Sequence, residues 1–230
     1  MKILVAISKA PDTTAKITFK DNNTVFNEEG VQWIINPYDE WYALVRAIEI
    51  KEASPDTILH LVNVGDNSSD VILRKALALG GDEAIRVDLK PKDSYSVAAQ
   101  LAAVAKEGGY DLVMTGKETI DYNSGSVGGM LAELLEMPYV PVATKLTVDN
   151  GKATIVKEIE GGEQTDEAAF PLVISCAKGM AKQRIANIRN VMAARTKTIR
   201  VVEPAALDAF TETVEFELPA AKTGVKLIAA

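Results

Sequence analysis

Short β-branched apolar runs alternate with segments of helical periodicity from residue 3 to residue 136. This alternation predicts an α/β fold: a mostly parallel, doubly wound, Rossmann-like sheet with helices on both faces. Two further observations complete the expectation. After Pro138 the pattern changes to hairpins, which adds a β-hairpin region, and from Pro204 the chain has few clusters of core size, which reads as an extended C-terminal arm. The expected organisation is one α/β domain over residues 1–203 and an arm over residues 204–230.

The elements follow in order. Ile3 to Ile7 is too short for a helix and reads as a buried strand. Ile17 to Phe26, with Asp21-Asn22-Asn23 in its middle, reads as a hairpin. In Asn36-Pro37-Tyr38-Asp39-Glu40, Asn suits a helix cap, Pro the first helical position and Asp the third. Trp41, Leu44, Val45 and Ile48 then recur at helical spacing, so a helix runs to about Glu52. Thr57 to Val64 is a strand. Ser69 caps a helix with Ile72, Leu73, Ala76 and Leu77 on its apolar face, ended by Gly80-Gly81. Ala84 to Leu89 is a strand. Ser94 to Glu107 is a helix with Val97, Leu101, Val104 and Ala105 inward, stopped by Gly108-Gly109. Leu112 to Thr115 is a strand, and Ser124 to Glu136 a helix with Val127, Met130, Leu131 and Leu134 inward. Lys145 to Val148 and Ala153 to Val156 flank Asn150-Gly151, a strong hairpin turn. Gly161-Gly162 marks another turn. Leu172 to Ser175 is a buried strand, Ala186 to Ala194 a short helix or an ordered loop, and Ile199 to Val202 a strand. In the arm, Val214, Phe216 and Leu218 alternate with Glu215 and Glu217, an extended pattern that needs a surface outside the domain.

Composition narrows the function. A 230-residue chain with 47% hydrophobic residues builds its own core, burying roughly 70% of the surface exposed when unfolded. The net charge of −7 leaves no global basic footprint for nucleic acid. Cys176 is the only cysteine, so no intramolecular disulfide forms, in keeping with a reducing compartment. No run of ~18 apolar residues is present, so no direct membrane insertion is expected, and the charged start at Lys2 lacks the apolar length of a signal peptide. A cytoplasmic location is the expectation.

Chemistry is conspicuous by what is missing. There is no G-x-x-x-x-G-K-[ST] phosphate loop, no G-x-G-x-x-G fingerprint and no Cys/His cluster for a metal. His60, the only histidine, sits in an apolar strand and reads best as a hydrogen-bonded structural residue. One histidine and one strand cysteine support no nucleophilic triad, and none of the 32 carboxylates forms a conspicuous pair. No catalytic residue is expected, nor an enzyme.

The segment from Thr115 to Gly129, TGKETIDYNSGSVGG, is the most informative. It follows a parallel strand and opens a helix, and open α/β sheets bind ligands at the carboxyl ends of their strands. Its glycines and serines expose backbone N–H groups to an anion at the helix terminus. Two readings stand side by side here: a phosphate site, and a plain capped helix with packing glycines. Ala6-Ile7-Ser8 and Asn63-Val64-Gly65 end strands at the same crevice. Tyr38 is either an exposed aromatic contact or a staple against the core.

These pieces occur together and in order in one family. Met1-Lys2-Ile3-Leu4-Val5-Ala6 resembles the opening of electron transfer flavoprotein β subunits, and Asn36-Pro37-Tyr38-Asp39-Glu40 resembles their Asn-Pro-aromatic-x-Glu helix start. Arg74 to Gly80 resembles their Ala-Leu-Ala-x-Gly helix end, and Gly116 to Asp121 their nucleotide loop. Arg184 to Met192 resembles the signature segment near the end of their domain, and Gly224-Val225-Lys226 a stretch of their C-terminal arm. The resemblance spans essentially the whole chain.

It implies a heterodimer. The α subunit carries the redox FAD, which the β subunit helps enclose. The β subunit holds AMP, and its arm wraps the partner. The complex takes electrons from flavin dehydrogenases such as acyl-CoA dehydrogenases and passes them to a membrane quinone oxidoreductase. The residues implied in nucleotide binding are Ala6, Asn36, Val64, Thr115, Gly116, Asp121, Asn123, Ser124, Gly125, Ser126, Val127 and Gly128. Thr13 and Tyr38 are implied near the partner's flavin, and Arg184, Ile188 and Arg189 in partner recognition, with Ile188 as apolar anchor. The chain departs from the family in three places. Ser126-Val127 stands where many members have an amide and Thr, and Arg189 stands where many have Pro. Thr13 stands where a larger residue is common. Electron-bifurcating relatives have Val-Gly, as at Val127-Gly128, and bind a second FAD, but their Asp-Gly-Asp-Thr run is replaced by Asp121-Tyr122-Asn123-Ser124. AMP is the expected ligand, a second FAD the alternative, and a stand-alone adenine-nucleotide module a further reading.

Overall fold

The computed structural model describes residues 1–149, 151–221 and 224. Among the described residues the strands are β1 (Lys2–Ala6), β2 (Lys9–Pro11), β3 (Phe19–Lys20), β4 (Val25–Phe26), β5 (Trp33–Ile35), β6 (Ile58–Val64), β7 (Glu83–Val87), β8 (Leu112–Gly116), β9 (Tyr139–Asp149), β10 (Lys152–Ile159), β11 (Gly162–Ala169), β12 (Leu172–Cys176) and β13 (Ile199–Val202). The helices are α1 (Asp39–Ala53), α2 (Asp70–Leu79), α3 (Ser94–Gly108), α4 (Val127–Leu135) and α5 (Ile188–Ala194), with one 3-10 turn at Asn67–Ser69. The fold is the mixed α/β, mostly parallel doubly wound sheet that the alternation predicts.

Nine strands form one sheet in the order β11-β10-β9-β12-β8-β1-β6-β7-β13. The pairs from β9 through β13 are parallel, and β10 and β11 add an antiparallel extension at the β9 edge. Strand period sorts β1 between two cores. Ile3 and Val5 pack with Leu44, Ile48, Leu73 and Leu77 of α1 and α2. Leu4 and Ala6 face the other way, onto Leu101 of α3 and Leu131 of α4. Burial on both faces explains why β1 and β12 read as unbroken apolar runs.

Several details differ from the sequence expectation. α1 starts at Asp39 rather than at Pro37, because the Asn36 side chain is engaged elsewhere and the N-cap position falls on Tyr38. α4 starts at Val127, not Ser124; Ser124 and Gly125 lie in the exposed loop before it, and Met130 points outward while Leu135 takes the buried place. β9 is longer than the expected Lys145–Val148, because its first part pairs with β12 and its second with β10. β11, polar from Glu163 to Glu167, is held by its ladder to β10. Asn150 of the expected turn lies outside the described residues, but Lys152 opposes Asp149 as a tight hairpin requires. Asp21, Asn22 and Asn23 all take positive φ in the β3–β4 turn.

His60 accepts or donates a hydrogen bond to the Tyr110 hydroxyl at 2.8 Å, so it is a partnered strand residue. The arm crosses its own domain at separate points. The Gln100 side chain pairs with the Ala205 backbone, donating to its carbonyl and accepting from its N–H, both at 2.8 Å. The Asp93 carboxylate accepts from the Phe210 and Thr211 N–H groups, and Phe216 stacks on Phe19 with ring centroids 4.8 Å apart. Val214 is 82% exposed, and Leu218 is also exposed. Val225 and Lys226 of the arm motif lie outside the described residues. Among the described residues no helix is long and apolar enough to cross a membrane.

Candidate functional site

The chain builds β1, β6 and β7 in one direction across the sheet and then returns to place β8 and β12 on the other side of β1. The order therefore reverses between β1 and β8. At such a switch point the neighbouring connections part and leave a crevice beyond the carboxyl ends of the strands. Ala6 of β1, Val64 of β6, and Thr115 and Gly116 of β8 sit at these ends.

Two close approaches shape the crevice. A Cβ on Gly116 would lie 2.7 Å from Glu40 Cγ and 2.9 Å from the Glu40 backbone nitrogen, so glycine lets β8 end against the first turn of α1. A Cβ on Gly128 would lie 2.8 Å from the Tyr139 hydroxyl and 3.1 Å from Thr115 Oγ1. Gly128 is therefore the buried side of the first turn of α4, and beside that turn the Thr115 hydroxyl is buried with no partner among the described residues. Tyr139 itself donates to Ser175 Oγ at 2.9 Å.

Residues 117–126 form the rim. The Lys117 N–H donates to the Cys176 carbonyl at 2.8 Å and the Asn123 N–H to the Thr119 carbonyl at 2.9 Å. Asn123 and Gly125 adopt left-handed conformations, with φ of 51° and 61°, that turn the chain toward α4. Asp121, Asn123, Ser124 and Gly125 are exposed, and Ser126 and Val127 half-buried. Ser126 makes no side-chain cap hydrogen bond, so among the described residues no capping side chain covers the first-turn N–H groups of α4. Such groups at a helix terminus suit a phosphate. The buried Thr115 hydroxyl and the uncapped turn fit an anionic nucleotide.

Asn36 stands beneath this rim. It is fully buried, its Nδ2 donating to the Glu118 carbonyl at 3.0 Å and its Oδ1 accepting from the Ile120 N–H at 2.9 Å. Glu40 is a feature that sequence reasoning missed. It is buried, and its carboxylate accepts from the Ser8 N–H and hydroxyl. Burial pushes its pKa up to about 8 against the opposing pull of the Ser8 hydrogen bonds, and the charges of Asp121 and Asp39 add to the rise. In sequence it looks like any acidic residue in a first helical turn.

The remaining candidate residues lie elsewhere. Tyr38 is 58% exposed, with φ 66° and ψ −96°. Thr13 is exposed just past β2. β2 and β5 are antiparallel, with Lys9 opposite Ile35 and Pro11 opposite Trp33, so Thr13 and Tyr38 lie beyond opposite ends of that ladder.

The third group surrounds α5. Ile188, its first residue, is 84% exposed, so it is not core; Ile185 is equally bare and Arg189 is exposed. Asn187 caps α5 by accepting from the Asn190 N–H at 2.8 Å. Arg184 is engaged within the chain: its guanidinium donates twice to the Glu52 carboxylate, at 2.6 and 2.9 Å. An apolar groove of about 570 Å³ lies alongside, lined by Trp41, Val71, Ala78, Leu79, Ile185 and Val191 among others.

The fold defines a doubly wound α/β domain with a topological switch point between β1 and β8. The sequence model of the electron transfer flavoprotein domain matches residues 23–207. The chain is 33% identical to the electron transfer flavoprotein subunit beta of Bacillus subtilis (strain 168), over 99% of this chain and 91% of the relative. It is 34% identical to that of Syntrophomonas wolfei, over 99% of this chain and 90% of the relative, and 31% identical to that of Homo sapiens, over 89% and 82%. The chain belongs to the electron transfer flavoprotein beta-subunit family.

Proposed function

We propose that this chain is the small subunit of a heterodimeric electron transfer flavoprotein, binding AMP in the switch-point crevice and helping to enclose an FAD carried by the alpha subunit. The observation that carries the nucleotide reading is the uncapped first turn of α4 beside the buried Thr115 hydroxyl, which has no partner among the described residues. In this reading the N–H groups of Val127 and Gly128 hold the phosphate, with Ser124, Gly125 and Ser126 around it. Ala6 and Val64 supply the wall for the adenine ring, and Asp121 and Asn123 line the rim. The flavin takes up and releases the electrons, and the protein positions and shields it. Tyr38 and Thr13 face the flavin side of the assembly.

The electrons come from flavin dehydrogenases such as acyl-CoA dehydrogenases and leave to a membrane quinone oxidoreductase. Ile188 is the apolar anchor for the dehydrogenase, with Arg189 at its rim. Residues 177–202 hold no Asp or Glu and seven Lys and Arg; Arg184 and Arg200 pair with glutamates of this chain and Lys197 bonds to backbone carbonyls, which leaves the exposed Lys178, Lys182, Arg189 and Arg195 to attract an acidic surface. The arm from residue 204 docks on the alpha subunit, where the exposed Val214 and Leu218 find cover.

Co-expression with the alpha subunit of the same organism tests the assembly. A yellow stoichiometric complex is expected. A colourless chain that purifies alone beside its candidate partner contradicts the reading and favours a stand-alone nucleotide module.

A further inference from the structure

The turn between β5 and α1 joins two fixed points. On one side Asn36 is held three times: its backbone N–H donates to the Ser8 carbonyl at 3.1 Å, and its side-chain amide makes the two bonds to Glu118 and Ile120. On the other side the Tyr38 carbonyl accepts the first hydrogen bond of α1, from the Tyr42 N–H at 2.7 Å, and Glu40 is locked to Ser8. Between them Pro37 has its φ restricted by the ring. The mismatch falls on Tyr38, whose φ of 66° and ψ of −96° resemble a strained γ-turn. A side chain in such a conformation persists only where its surroundings over-determine it.

We propose that Asn36 is a positioning residue that ties the loop 117–126 to the Tyr38 turn, so that an adenine nucleotide seated on the loop fixes the orientation of the exposed Tyr38 ring. The identity of the ligand rests on the nucleotide reading above; the link itself rests on the buried amide. Both polar atoms of the Asn36 side chain are spent on loop backbone and the residue has no exposed surface, so its side chain acts through the loop. Its two bonds resemble one rung of a β-ladder, with the side chain standing in for a strand. Movement of Glu118 or Ile120 is passed to Asn36, and the restricted Pro37 leaves Tyr38 as the residue that has to absorb it.

The full-length chain, labelled with 3-fluorotyrosine, carries six reporters, among them Tyr38 on the turn and Tyr122 on the loop. Each is assigned by its Tyr→Phe variant, and AMP is added after removal of any nucleotide already bound. In the unsubstituted chain the Tyr38 and Tyr122 fluorine resonances shift together with one AMP dependence. In Asn36→Ala saturating AMP still shifts Tyr122 but no longer Tyr38, and the AMP dissociation constant rises about tenfold, the scale of one or two lost hydrogen bonds. Asn36→Asp keeps the size and the acceptor for Ile120 but loses the donor to Glu118; it gives a reduced Tyr38 response and serves if the alanine variant does not fold. A Tyr38 shift of equal size in all three chains, or a Tyr38 resonance that ignores AMP while Tyr122 responds, overturns the link. If AMP gives neither heat nor any shift, the nucleotide reading fails instead. The link is then decided by the substitutions in the ligand-free chain, which have to displace the Tyr38 and Tyr122 resonances together; an unmoved Tyr38 overturns it.

Discussion

The Glu40 carboxylate accepts two hydrogen bonds from Ser8, one from the backbone N–H at 2.7 Å and one from the hydroxyl at 2.6 Å, joining the first turn of α1 to the end of β1. Because burial raises its pKa from an ordinary 4.5 to about 8, the folded chain binds more protons than the unfolded chain between those values. This contribution to stability is fully present below about pH 4.5 and is lost as the pH rises toward 8, by up to about 1.4 kcal/mol per pH unit. Glu40→Gln keeps an acceptor for the Ser8 N–H and removes the charge. Denaturant midpoints of the variant are expected to decline less from pH 5 to pH 8. Parallel declines in the two proteins would show that Glu40 titrates normally.

Gly128 separates α4 from Tyr139 and Thr115 by less than a methyl group needs. Gly128→Val has to displace Tyr139 from Ser175 and tilt the first turn of α4. A loss of about 1–3 kcal/mol of stability is expected, together with weaker AMP retention. Gly125, whose position is open but left-handed, separates the two effects. Gly125→Ala strains the loop without crowding the core, so nucleotide loss should exceed stability loss. Full retention of AMP by both variants would place the phosphate elsewhere.

Ile188→Ala removes a side chain that is 84% exposed among the described residues. Stability should stay within about 0.5 kcal/mol of the parent, while electron transfer from an acyl-CoA dehydrogenase slows. Arg184→Ala makes the contrast: it breaks the pair with Glu52 and loosens the segment before α5, so its effect on transfer should be largely reproduced by Glu52→Gln. Unaltered transfer in Ile188→Ala removes it as the anchor.

Deleting residues 212–230 retains the contacts of Gln100 with Ala205 and of Asp93 with Phe210 and Thr211, but removes Val214, Phe216 and Leu218. The α/β domain should keep its circular dichroism while co-purification with the alpha subunit is lost. Stoichiometric complex with the shortened chain would contradict docking through the arm.

The parts of the fold legible in the sequence are those with a strong apolar period. Ile72, Leu73, Ala76 and Leu77 are all buried on α2, as their spacing predicts. The strand ends were legible because α/β alternation places them at one edge of the sheet. What escaped notice has no local signature. β11 is polar because it lies at a sheet edge and owes its form to the ladder with β10. Asn36 looks like a helix cap, yet its amide serves a loop more than 80 residues away. Arg184 looks like a free cation, and its partner Glu52 lies 132 positions earlier. Glu40 looks like a solvated first-turn acid until Ser8 and Gly116 enclose it.

The most direct test of the switch-point site is to quantify, by mass spectrometry, the nucleotides released from the complex purified with its alpha subunit. One AMP and one FAD per heterodimer are expected. Two FAD and no AMP would assign the crevice to a second flavin, and one FAD with no further nucleotide would contradict a nucleotide site at the N-terminus of α4.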